Sequence, residues 1–147
     1  MKKKIKILVV ASRYNDPRSL IKSATKELDK NNITYNTLYC EGAFEIPVLI
    51  SRNIRSYDAF IAIGIIIKGE TPNFNLISQA ITNGIMELSI LHKKPIGNAI
   101  LTCLKLDQVK KRVHKGDEAV KAVLDVLNPK GIFKWSHKIT KLIPLRE

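Results

Sequence analysis

The chain has 147 residues, 45% of them hydrophobic and 26% charged, with a formal net charge of +12. That length suits one domain, residues 1–147, with a sizeable core; no apolar run approaches the ~18–20 residues a membrane-spanning helix needs. Residues 105–147 hold 11 Lys/Arg against 5 Asp/Glu, yet the lysines are scattered among helical apolar positions without interleaved aromatics. Specific nucleic-acid binding is therefore not expected.

Met1–Lys6 has the charged front of a signal peptide, but the apolar run Ile7–Ala11 behind it is too short for the core of one. A cytoplasmic location is the expectation. Cys40 and Cys103 lack metal-ligand spacing and read as isolated, buried thiols. The run Ile5–Ala11 is β-branched and nearly continuous, which suits a central strand of a parallel sheet. Pro17 and the polar residues before it suit a loop entering a helix. From Arg18 to Lys30, Leu20, Ile21, Ala24 and Leu28 recur at helical spacing. Ile33–Cys40 alternates apolar and polar residues, and is polar enough for an edge strand.

Gly42 then permits a turn, and Pro47 fits the first turn of a helix whose buried face is Val48, Leu49, Ile50 and Ile54. Tyr57–Ile63 is a third strand, running into Gly64–Asn73. Phe74, Ile77, Ile81, Ile85, Leu88 and Leu91 form the stripe of a long helix, with Asn73 as its expected cap. Pro95–Thr102 is the fourth strand. A single last helix, capped by Asp107, carries Val109, Val113, Gly116, Val120, Val123 and Leu127 on one face. Residues 132–147 form a basic tail with a lone Trp135.

Alternating strands and helices predict an α/β fold, with helices on both faces of a four-stranded parallel sheet. Ligands collect at the carboxyl ends of such strands. The unusual residues fall on that rim, in the segments 12–16, 41–45, 65–73 and 98–102. Where the third strand gives way to a helix, unpaired backbone N–H groups and Lys68 offer a candidate anion site, the alternative being an ordinary strand-to-helix connection.

Arg13-Tyr14-Asn15, Gly42-Ala43-Phe44-Glu45-Ile46-Pro47 and Gly64-Ile65-Ile66-Ile67-Lys68-Gly69-Glu70-Thr71, in this order, resemble the motifs of the 6,7-dimethyl-8-ribityllumazine synthases. The resemblance runs from about Ile5 to Leu127. It implies a flavodoxin-like three-layer α/β/α sandwich. The implied activity is condensation of 5-amino-6-ribitylamino-uracil with 3,4-dihydroxy-2-butanone 4-phosphate, with no metal or organic cofactor. Pentamers, sometimes stacked into decamers or shells, are implied as well, with active sites between subunits and riboflavin synthase as a candidate partner.

By motif, Tyr14 stacks on the pyrimidine and Ala43, Phe44 and Glu45 hold the ribityl chain. Ile65, Ile66 and Ile67 line the pyrimidine site with backbone atoms, while Glu70 and Thr71 hold the phosphate. The resemblance brings Asn98 from a neighbouring subunit, Arg112 to the phosphate and Lys115 near the ring. Two departures stand out. Asn73 occupies the position of the family's histidine, and the segment between Arg112 and Lys115 is short. Asparagine cannot act as a general acid or base near neutral pH. The resemblance therefore implies either a slower synthase or an oligomeric ligand-binding or shell protein. A riboflavin synthase of the archaeal type fits less well, since lumazines carry no phosphate for Gly69–Thr71 to bind.

Overall fold

The computed structural model describes residues 4–129, so the basic tail 132–147 lies outside the described residues. Four strands, β1 (Lys6–Ser12), β2 (Thr34–Cys40), β3 (Ala59–Ile67) and β4 (Ile96–Cys103), pair in parallel in the order β2-β1-β3-β4. Five helices connect and flank them: α1 (Arg18–Lys30), α2 (Ile46–Arg52), α3 (Asn73–His92), α4 (Asp107–Lys110) and α5 (Lys115–Leu127). The result is the expected three-layer α/β/α sandwich.

Strand alternation sends successive side chains to opposite faces, so each central strand feeds two cores. Ile7, Val9, Ala11, Ile61 and Ile63 pack against Leu20, Ala24 and Leu28 of α1 and Val120 and Val123 of α5. On the other face Leu8, Val10, Phe60 and Ala62 meet Ile46 and Ile50 of α2 and Ile81 and Ile85 of α3. Burial on both sides explains why the first and third strands are nearly unbroken apolar runs. The polar alternation of β2 reflects its place at the sheet edge. Cys103 is buried as expected, whereas Cys40 is half-buried on that edge.

Several local expectations are corrected. Ile46, not Val48, shares the buried face of α2 with Ile50, and Val48 is exposed. Leu91 at the end of α3 is exposed too; Ile81 and Ile85 are the buried residues of that helix, with Ile77 and Leu88 partly buried against the same core. Asn73 does not cap α3: it is the first helical residue, Pro72 holds the cap position, and no side chain bonds the first turn.

The single last helix is two. Asp107 lies inside the short α4, and the chain turns through residues 111–114 before α5 begins. Gly116 lies in the first turn of α5. A Cβ there would stand 2.5 Å from the Leu20 carbonyl oxygen, so a glycine is what lets α5 pack this close to α1. Ser23 fastens the contact, donating its hydroxyl to Asp117 Oδ1 (3.3 Å) and accepting the Asp117 N–H (3.0 Å).

Candidate functional site

The switch in winding direction lies between β1 and β3, where parallel sheets open a crevice at the carboxyl ends of the strands. Beyond β1, the Arg13 N–H donates to the Cys40 carbonyl (2.9 Å) and the Tyr14 N–H to that of Glu41 (3.2 Å). The ladder thus continues past its last strand pair, Ser12–Cys40. Asn15 and Asp16 are left-handed, with φ of 64° and 52°, a conformation short amide and acid side chains tolerate. The Asn15 side-chain amide donates to the Ile65 carbonyl (3.1 Å). Asp16 turns outward to a forked pair with Arg18 (2.7 and 2.9 Å). Hydrogen bonding to Arg18 holds the Asp16 carboxyl below its usual value.

After β2, residues Ala43–Glu45 form a 3-10 turn that leads directly into α2. The Gly42 N–H donates to Glu45 Oε2 (3.1 Å). Gly42 is extended, with φ −121°, so it permits no unusual turn. Its role is close approach, since a Cβ would stand 3.0 Å from that carboxylate oxygen. Burial, then the nearby Glu45 charge, pushes the Cys40 thiol up. It stays protonated at neutral pH and faces the Gly42 carbonyl (3.3 Å), a hydrogen-bond donor rather than a nucleophile.

The third wall is the end of β3. Gly64 is wedged against β1: a Cβ would meet Ser12 Oγ at 2.8 Å and Ala43 Cβ at 3.3 Å. Ser12 is wholly buried, and its hydroxyl has no hydrogen-bond partner among the described residues. Ile65 is buried, while Ile66 and Ile67 are half-exposed. The Lys68 N–H closes the strand on the Cys103 carbonyl (2.9 Å), and Gly69–Pro72 then lead to the uncapped α3.

These walls enclose one cleft of ≈ 380 Å³, within the usual range for small-molecule sites. It brings together Tyr14, Ala43, Phe44, Glu45, Ile65, Ile66, Ile67, Thr71 and Asn73. Asn15, Gly42, Gly69, Phe74 and Ile77 also line it. Asn15 and Gly42 lie within the motifs without an expected role in binding, Gly69 belongs to the expected phosphate loop, and Phe74 and Ile77 belong to the expected apolar stripe of α3. Tyr14 (71% exposed) and Phe44 (62% exposed) stand at the mouth as aromatic surface. Tyr14 and Glu45 are its titratable residues, and no histidine reaches it among the described residues. His114 instead faces Glu118 at 3.5 Å.

Four expected site residues lie elsewhere on this chain. Glu70 is exposed outside the cleft. Asn98 is mid-strand, opposite Ala62, so it is not at the carboxyl rim; its side-chain oxygen accepts the Ile100 N–H (3.0 Å). Arg112 donates to the Gln108 carbonyl (3.0 Å), and Lys115 pairs with Glu118 (2.9 Å). No group of three or more His, Cys, Asp or Glu suited to a metal occurs among the described residues.

Comparison with known proteins agrees with this architecture. The model of a family described as 6,7-dimethyl-8-ribityllumazine synthase matches residues 4–130. The 6,7-dimethyl-8-ribityllumazine synthase of Thermobifida fusca is 34% identical over 127 residues, spanning 80% of this chain and 75% of the relative. The enzyme of that name from Bartonella tribocorum is 34% identical over 123 residues, 80% and 82% of the two chains. The 6,7-dimethyl-8-ribityllumazine synthase 1 of Rhodopseudomonas palustris is 33% identical over 139 residues, 85% of each.

Proposed function

The chain belongs to the 6,7-dimethyl-8-ribityllumazine synthase family, and we propose that its rim cleft is where the family's condensation takes place. That reaction, a transferase step of riboflavin biosynthesis, joins 5-amino-6-ribitylamino-uracil to 3,4-dihydroxy-2-butanone 4-phosphate. The pyrimidine's amine adds to the ketone, water is lost to give an imine, phosphate leaves, and the ring closes with loss of a second water. The convergence of three sequence-distant motifs on one cleft is the observation that carries this assignment.

Tyr14 lies over the pyrimidine, and the backbone of Ile65–Ile67 provides its donors and acceptors. Glu45 accepts from ribityl hydroxyls with whatever carboxylate capacity the Gly42 N–H leaves free. The phosphate sits against the Thr71 hydroxyl and the first turn of α3, whose N–H groups no side chain caps. Glu70 contributes its backbone, its side chain lying away from the dianion. Asn98, Arg112 and Lys115 act from a neighbouring copy of the chain; all three are exposed here, which suits that role.

The remainder of the reading follows the family. The chain is one such domain, works in the cytoplasm without a cofactor as a pentamer or a multiple of one, and has riboflavin synthase as a candidate partner. Among the described residues no helix is long and apolar enough to cross a membrane.

Asn73 makes this a slow synthase. Orienting two substrates removes ~7–11 kcal/mol of barrier in favourable cases, whereas a general base contributes about 10²–10⁴-fold. Catalysis by positioning therefore survives the loss of the histidine. Lumazine formation from the two substrates is the test; a rate equal to the protein-free control overturns the proposal.

A further inference from the structure

Tyr14 is an exposed ring with little packing to orient it. Its direction must come from its backbone. The two backbone bonds from Arg13 and Tyr14 tie the loop to β2, on the side away from the cleft floor. Pairing between β1 and β3 ends at Ala11–Ile63, so past that point nothing in the sheet ladder holds the loop to β3. The Asn15 amide is the tie that crosses, reaching the Ile65 carbonyl at 3.1 Å, fifty residues away.

We propose that Asn15 is a positioning residue, whose amide sets the gap between the Tyr14 ring and the β3 floor and so preforms the slot for a planar ring. The proposal rests on the cleft being the pyrimidine site. Two properties of asparagine meet here. The backbone is left-handed, which disfavours most side chains, and the floor carbonyl needs a donor. Aspartate satisfies the first and not the second, because its carboxylate has no N–H to give. Glycine keeps the backbone and removes the hook entirely.

The test is binding of the pyrimidine substrate, by calorimetry, to wild type, Tyr14→Ala, Asn15→Gly, Asn15→Asp and the double variant Tyr14→Ala/Asn15→Gly. Thermal melts verify that each folds. Loss of a stacking platform weakens binding on the order of tenfold. The Asn15 variants are expected to lose about as much, with no further loss in the double variant, because Asn15 acts through Tyr14. If Asn15→Gly and Asn15→Asp bind within about twofold of wild type while Tyr14→Ala is impaired, the positioning role is refuted and the cleft assignment stands. Additive losses in the double variant refute it equally. If Tyr14→Ala binds like wild type, the cleft assignment fails and the proposal with it.

Discussion

Gly64 stands where β3 enters the cleft floor, and adding one methyl group there makes a calculable perturbation. The new Cβ meets Ser12 Oγ at 2.8 Å and also presses Ala43 Cβ at 3.3 Å and Ile46 Cδ1 at 3.4 Å. Ser12 is fully buried, so its hydroxyl has little room to rotate away. Overpacking of this kind costs ~1–3 kcal/mol. The glycine's greater freedom in the unfolded chain offsets about 0.4–1 kcal/mol of that. A net loss of roughly 1–2 kcal/mol should lower Tm by about 3–7 °C in a domain of this size. Since the clash is chiefly with the hydroxyl, and that hydroxyl bonds no other described residue, Ser12→Ala should rescue most of the loss. The coupling in the double-mutant cycle is then on the order of 1 kcal/mol. Melting curves read the stability, and initial rates of lumazine formation read whether the floor has moved. Wild-type Tm in Gly64→Ala, or strict additivity with Ser12→Ala, refutes the reasoning.

Tyr14→Ala should leave Tm unchanged, because the ring is largely exposed, and weaken pyrimidine binding by roughly 5–150-fold, the worth of ~1–3 kcal/mol of stacking. Asn73→His should raise kcat by up to ~10²-fold and introduce a limb near pH ~6.5 in the rate profile; unchanged kcat means that residue 73 does not contact the reacting atoms. Gly116→Ala forces a Cβ to within 2.5 Å of the Leu20 carbonyl, a backbone atom that cannot swing aside, and should cost about 3 kcal/mol or more in a denaturant titration. Lys121, and secondarily Ser23, hold the Asp117 carboxyl below its usual 3.8. Its lowered folded-state pKa means the stabilisation is present above the unfolded value and is lost as pH falls through the folded one. Asp117→Asn should therefore destabilise the protein at neutral pH, by ~0.5–1.5 kcal/mol for the altered hydrogen bonds. The difference from wild type should shrink as pH falls below 3.8 and vanish once the folded-state carboxyl is protonated.

What was legible in the sequence divides along physical lines. Long apolar runs and helical periodicity located β1, α1, β3 and α3 because both arise from burial, which the pattern records directly. The polar alternation of β2 disclosed its place at the sheet edge for the same reason. The break between α4 and α5 left no such mark. Apolar spacing continues across the turn as though the helix did, and the close approach of Gly116 to a backbone oxygen of α1, about a hundred residues earlier in the chain, is a tertiary contact that no local pattern records. Asn73 misled in a related way: asparagine before a helix resembles a cap, but the chain starts its helix at that residue, which lines the cleft.

The candidate site was legible where it rests on backbone placement at strand ends, and not where the proposal draws on a neighbouring copy of the chain. The motifs around Tyr14, Gly42 and Gly64 follow successive strands of one sheet, so topology alone gathers them. Asn98, Arg112 and Lys115 lie on other surfaces of the chain, and no spacing relates them to the cleft. Asn15 had a local signal: a short amide after a strand suits a left-handed turn, though not the identity of its partner. The roles proposed for the site divide in the same way at Asn73. The proposed phosphate binding through N–H groups of α3 and the Thr71 hydroxyl needs no titrating side chain at position 73, and neither does the proposed slot between Tyr14 and β3. On the proposed assignment binding and proton transfer are carried by different atoms, so Asn73→His is expected to raise kcat while leaving the affinity for both substrates unchanged.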